Sequence, residues 1–314
     1  LGLDIPETID DWYVMLTRFK NEIPECTAPY TAPGLKSTQA LPEFYQGATA
    51  DYVKVDGKWV DGMAQDNMLT ALQNLQDAYT AGLIDQEAIT NTTSACRDEW
   101  YAGTVGCFPY WGGLWGETLT VRLKQNVPDA EVIALPPIEG ATYLYSAPSV
   151  QVISSKLSDE QVASVYKYFI EYMHDGGEGQ VLFQSGVEGV HWQQSGNNID
   201  PLPTISKPAE AFRKAWITPW LALTPMTATD KNVEVSQEAT DSLAVVSANA
   251  KNISVFPVSE QRTMITSDLT TTRENIISRV AMGQLTPEEG MAEYKAQAET
   301  LNVAQALEEM NANA

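Results

Sequence analysis

The chain has 314 residues, 44 % of them apolar, with a net charge of −22 from 41 acidic and 19 basic residues. That length accommodates two domains and a sizeable core, and the composition excludes a disordered polymer. A surface this acidic repels nucleic acid and anionic lipid, so no nucleic-acid partner is expected, and no apolar run is long enough to span a membrane.

The first helix is signalled by Thr8 followed three residues later by Asp11, a capping box with Asp in place of Glu. Ile9, Trp12, Leu16 and Phe19 recur at helical spacing, and Pro24 ends the element. Residues 24–47 read as loop with short strands. The run 52–60 holds Asp56-Gly57 between two alternating β-prone segments, the strongest short hairpin signal. Asp66 caps a helix with Leu69, Leu72, Leu75 and Tyr79 on one face, stopped by Gly82. A short helix is expected over 98–102, a buried strand over 105–110, a helix over 117–126 and a short strand over 131–135. Residues 143–153 read as extended chain crossing between two lobes. Ser158 and Gln161 form another capping box, opening a helix with Val162, Val165, Phe169, Ile170 and Met173 on its apolar side. That helix stops at Gly176-Gly177. The chain is helical again at 180–182 and breaks at 186–192. The rest reads as mostly helical, and Thr286-Pro287-Glu288-Glu289 combines a cap, Pro at the first helical position and a reciprocal acid.

Four aromatic rings fall within 108–115, broken by glycines and followed by Glu117. Flat rings beside exposed backbone amides suit a sugar or another flat ligand with polar edges. Equally, the rings could fill a core beneath a loop. A second glycine-bounded loop, 186–192, carries Glu188, His191 and Trp192. Trp216 and Trp220 form a third cluster, with a spacing that favours packing over binding. No Gly-x-Ser-x-Gly elbow, phosphate loop or dinucleotide fingerprint is present. Asp230 to Glu234 begins like a calcium loop but has Val235 where that loop needs glycine. Glu117, Glu188, Asp98 and Glu99 are the carboxylates that a glycoside hydrolase would need in facing pairs. The three cysteines, Cys26, Cys96 and Cys107, are too few and too odd in number for a disulfide framework, and free buried thiols are the simpler reading, with a 96–107 pairing the alternative. The two histidines, His174 and His191, lack partners at metal-ligand spacing. No metal or other cofactor is expected.

Several of these stretches together resemble the family 1 extracellular solute-binding proteins of ABC transporters, in particular the large lipoproteins of Gram-positive bacteria. They are the opening Leu1 to Trp12, the segment Leu75 to Asp85 with its Gly82-Leu83-Ile84-Asp85 turn, the loop Gly186 to Trp192, and Thr286 to Met291. The resemblance implies an α/β, two-lobed, periplasmic-binding-protein-like fold of type II. It further implies that the opening motif normally follows a stretch bearing the signal, the lipid anchor and much of the first lobe. On that reading, residues 1–145 form the second lobe, and 146–314 form the crossing segment and the helical returning part of the first. The implied function is that of a non-catalytic receptor, extracellular and membrane-anchored as a lipoprotein. It would bind a sugar or oligosaccharide in an inter-lobe cleft and pass it to ABC permease subunits, acting as a monomer. Trp111, Trp115 and Trp192 are then the expected stacking platforms, with Tyr110, Glu117, Glu188 and His191 as hydrogen-bonding partners. A receptor for a peptide or another polar solute is the alternative, and a carbohydrate-active enzyme the rival class.

Overall fold

A computed structural model describes residues 1–37, 39–145, 151–202 and 226–314. The chain divides into two compact units, one made of 1–147 with 237–314 and the other of 148–236. This differs from the division at 145/146 read from the sequence, because the C-terminal helices pack on the first unit.

The first unit begins with α1 (Ile9–Glu22), whose Thr8–Asp11 capping box forms as expected and whose Trp12, Met15 and Leu16 are buried. After it come β1 (Ala28–Tyr30), the short α2 (Pro42–Tyr45), and the hairpin β2 (Tyr52–Val55) and β3 (Lys58–Asp61). Asp56 and Gly57 both take left-handed φ, at 49° and 81°. That is the geometry a tight two-residue hairpin turn requires. Next, α3 (Asn67–Thr80) buries Leu72, Leu75 and Tyr79, although the Asp66 side chain makes no capping bond. The next helix, α4 (Thr93–Ala102), starts earlier than expected because Thr92 caps it. β4 (Val105–Cys107) then pairs parallel with β1, and α5 (Leu114–Lys124) follows. Residues 131–135 are not a strand; Ile133 is 67 % exposed, and prolines 136 and 137 deny the segment a ladder. β5 (Leu144–Tyr145) lies in the expected extended stretch, of which 146–150 fall outside the described residues.

The chain returns to this unit with α8 (Gln237–Asn249), β8 (Lys251–Asn252, parallel to β5), α9 (Glu260–Ala281), α10 (Pro287–Thr300) and α11 (Val303–Ala312). Ile265, Leu269, Ile276, Ile277 and Val280 of α9 are buried in one core with the apolar faces of α1, α3, α10 and α11. Gln76 fixes the pairing of α3 with α9: its Nε2 donates to the carbonyls of Val280 (2.6 Å) and Leu285 (2.9 Å). The predicted Thr286–Glu289 capping box starts α10.

Two polar groups are built into this core. Arg273 is buried and donates to Asp61 (2.7 Å) and to the Tyr294 hydroxyl (3.1 Å), which in turn donates to Asp61 (2.6 Å). Glu43 of α2 is also buried, facing the hydroxyls of Tyr30 (3.1 Å) and Tyr143 (3.4 Å). Burial pushes its carboxyl up to about 7. Cys26, Cys96 and Cys107 are all free, the latter two buried.

The second unit opens with α6 (Asp159–Val165), capped by Ser158 and Gln161 as expected, and the helix widens to π geometry over Tyr166–Glu171. Of its predicted apolar side only Met173 is fully buried; Val165 and Phe169 are each 37 % exposed. α7 (Glu178–Ser185) is started by Asp175, whose carboxylate accepts from the backbone N–H of Gly177, Gly179 and Gln180. An antiparallel hairpin, β6 (Trp192–Ser195) with β7 (Asn198–Pro201), stands where the sequence read as mostly helical. Val181, Trp192 and Ile199 make this unit's core, with Met226 and Val233 against it.

Candidate functional site

The aromatic loop of the first unit leaves β4 and enters α5 through Gly113, which has a φ of 73°. Its glycines answer to helix packing. A Cβ on Gly116 would lie 2.9 Å from the carbonyl oxygen of Glu238, and one on Gly112 would lie 2.7 Å from Val246. Both neighbours belong to α8, and Ser242 Oγ on that helix accepts from the Gly113 N–H at 3.0 Å. The small residues thus let α8 sit directly on the start of α5.

With the backbone held there, the side chains form a continuous stack. Phe108 and Tyr110 lie face to face, with centroids 4.9 Å apart, and Tyr110 meets Trp115 edge-on at 4.8 Å. Trp100 from α4 extends the row to Phe108 at 6.2 Å, and its indole N–H donates to the Leu119 carbonyl. These rings are half-buried, whereas Trp111 is 56 % exposed. The two readings left open by the sequence therefore divide by residue. Phe108, Tyr110 and Trp115 pack on one another while keeping part of their surface in solvent, and Trp111, in the same loop, is the more exposed ring. Arg97 of α4 caps the stack, its guanidinium 5.5 Å from the Trp115 ring and 6.0 Å from the Tyr110 ring. Nη1 donates to the Tyr110 hydroxyl (3.0 Å) and Nη2 to Ser94 Oγ (2.9 Å). Arg97 was not among the residues singled out by sequence. Its contact with Tyr110 joins the middle of α4 to the loop after β4, and no local pattern signals it. Glu117 lies in the first turn of α5, half-buried.

The loop at 186–192 belongs to the second unit. Trp192 is 3 % exposed, and its indole N–H donates to the Gly186 carbonyl at 2.9 Å. It is a core ring of the β6–β7 hairpin, which corrects its expected place as a stacking platform. His191 is turned toward its own loop, with Nδ1 accepting from the Val187 N–H at 2.8 Å, while Glu188 is exposed. The Trp216–Trp220 cluster lies outside the described residues.

The other carboxylates have local employment. Glu99 accepts from Thr31 (2.8 Å), which also faces Asp85 (3.1 Å), and burial together with the Asp85 charge raises the Glu99 carboxyl despite those hydrogen bonds. Asn232, in the calcium-like stretch, pairs through its backbone with Asn197 and Ile199 as a strand edge would. Among the described residues, no group of three or more potential metal ligands converges. Nor is any helix among them long and apolar enough to cross a membrane.

No protein-family model matches the chain. It is 21 % identical over 210 residues to lipoprotein LipO of Bacillus subtilis (strain 168), a match that takes in 62 % of this chain and 42 % of LipO. The chain thus spans less than half the length of that relative. Among solved structures, alginate-binding protein AlgQ2 superposes with a TM-score of 0.67 at 18 % identity, over 99 % of this chain and 68 % of AlgQ2. The ABC-transporter substrate-binding protein FusA of S. pneumoniae, solved in complex with kestose, gives 0.61 at 17 %, over 99 % and 68 %. The fold is the α/β fold of periplasmic-binding-protein-like receptors, covering part of their chains. By fold the chain is similar to the solute-binding proteins of ABC transporters, and by sequence it is distantly similar to lipoprotein LipO.

Proposed function

We propose that this chain is the solute-binding component of an ABC importer and that its solute is a sugar or oligosaccharide. The observation that carries the reading is the ring stack of Phe108, Tyr110 and Trp115 with the exposed Trp111 beside it. A pyranose offers an apolar C–H face and a polar rim. An indole face matches the first, and hydroxyl and guanidinium groups at the edge match the second. Trp111 is the platform, with Tyr110, Trp115 and Glu117 of the same loop and helix start as its partners. Glu188 and His191 remain candidates as part of the second unit's surface. The names of AlgQ2 and of the FusA–kestose complex support the carbohydrate class. The kinship with LipO supports a lipoprotein anchored at the cell surface, handing its solute to permease subunits.

Titration calorimetry against a panel of oligosaccharides and short peptides tests this reading. The expected result is binding of at least one sugar, weakened on Trp111→Ala by about 1–3 kcal/mol, the order of a lost stacking contact. Thermal stability should hold, because the ring is exposed. Binding of peptides and of no sugar would favour the polar-solute alternative. A large fall in stability with unchanged affinity would make Trp111 a packing residue.

A further inference from the structure

We infer that the aromatic surface is built for an acidic sugar, with Arg97 as the anchor for a carboxylate on the ligand. The inference rests on the sugar-binding reading above and narrows it. The chain has 41 acidic residues against 19 basic ones, and half of its described arginines are ion-paired. Arg18 holds Glu22, Arg273 holds Asp61, and Arg279 holds Glu293. Arg97, like Arg122 and Arg262, forms no ion pair with a carboxylate among the described residues, but it lies on the ring stack and its side-chain hydrogen bonds go to neutral hydroxyls.

Those bonds fix the guanidinium without neutralising it. Tyr110 and Ser94 each take one N–H, and the rings of Tyr110 and Trp115 lie within cation–π reach. Nε–H and one N–H on each terminal nitrogen remain uncommitted, enough of the fork to meet a carboxylate at two points. A cation held in place by packing forfeits less side-chain freedom when it binds, so more of the ion pair appears as affinity. A second cation lies close by. Burial raises the Tyr101 phenol, and both Arg97 and Arg122 pull it back down. A neutral sugar meets the guanidinium only through its hydroxyls, whereas a uronic acid meets the fork as an ion pair.

The test is calorimetry with a matched pair of ligands: a uronate trisaccharide, and the neutral trisaccharide carrying hydroxymethyl groups in place of its carboxylates. Titrations at low and high salt, on the wild-type chain, Arg97→Gln and Arg97→Lys, complete the set. The wild type should prefer the acidic sugar by at least ~10-fold, and the preference should weaken with salt. R97Q should lose the preference, its affinity falling further for the acidic sugar than for the neutral one. R97K keeps the charge without the fork and should lose most of the preference, which keeps the test decisive if R97Q fails to fold. Equal binding of the pair by the wild type, or an undiminished preference in R97Q, overturns the inference and leaves the sugar reading standing. Binding of neither trisaccharide also overturns the inference, and the sugar reading itself falls only if no member of the oligosaccharide panel binds.

Discussion

Replacing Glu43 with Gln should remove a pH dependence of stability that the wild-type core carries. Glu43 is fully buried on α2, and burial lifts its carboxyl from an ordinary 4.5 to about 7. The folded state therefore keeps a proton that the unfolded chain releases between those two values. Stability rises with pH only where the unfolded state binds more protons, so here it falls as pH increases. This contribution is fully present below 4.5, declines between 4.5 and about 7, and is absent above that. The window is worth about 3 kcal/mol at roughly 1.4 kcal/mol per pH unit. Glutamine keeps the shape, cannot ionise, and can still meet the Tyr30 and Tyr143 hydroxyls that flank Glu43. Urea unfolding followed by circular dichroism at several pH values between 4 and 8, on wild type and Glu43→Gln, gives the comparison. The variant should gain on the wild type steadily across the window and be the more stable chain at pH 8. Identical pH slopes for the two proteins would refute the reasoning, because they would place the titration elsewhere.

Two further substitutions probe the frame. Arg273→Met leaves Asp61 buried without its cation and should cost about 3–5 kcal/mol in urea unfolding, more than a cavity of that size would. Adding Tyr294→Phe to Arg273→Met should cost far less than the sum of the two single changes, since both act on the same Asp61. Gly116→Ala places a methyl group 2.9 Å from the Glu238 carbonyl. It should lower stability by about 1–3 kcal/mol and, by displacing the start of α5, weaken ligand binding as well; full affinity in this variant would detach the aromatic loop from α8.

Much of this frame was legible because its signals are local. The capping boxes at Thr8, Ser158 and Thr286 sit where the reciprocal side-chain bonds form, and Asp56-Gly57 makes the turn it announces. The β6–β7 hairpin was missed because its strands are polar. Gly196-Asn197 at its centre is a hairpin dipeptide that the lack of apolar alternation concealed. α2 was missed because four residues cannot show a helical period. The aromatic loop was legible as a composition but not as a site. Its glycines signalled close approach, and the element approaching is α8, more than a hundred residues away in sequence. Trp192 misled for a similar reason. A ring between glycines looks exposed until the hairpin that buries it is known. Arg97 had no local signature, because everything that distinguishes it lies in tertiary contacts and in the ion pair it does not make.

The insertion of 148–236 between the two halves of the first unit has a consequence for biosynthesis. As the chain leaves the ribosome, the second unit is contiguous and can complete its fold as soon as it emerges. The first unit waits: α3 lacks α9, β5 lacks β8, and the aromatic loop lacks the Ser242 hydroxyl that fixes Gly113. Contacts of such long sequence separation form late and slowly. The nascent chain therefore carries an open, ring-rich face while 148–236 and the helices that follow are translated, which is when a chaperone would have most to hold.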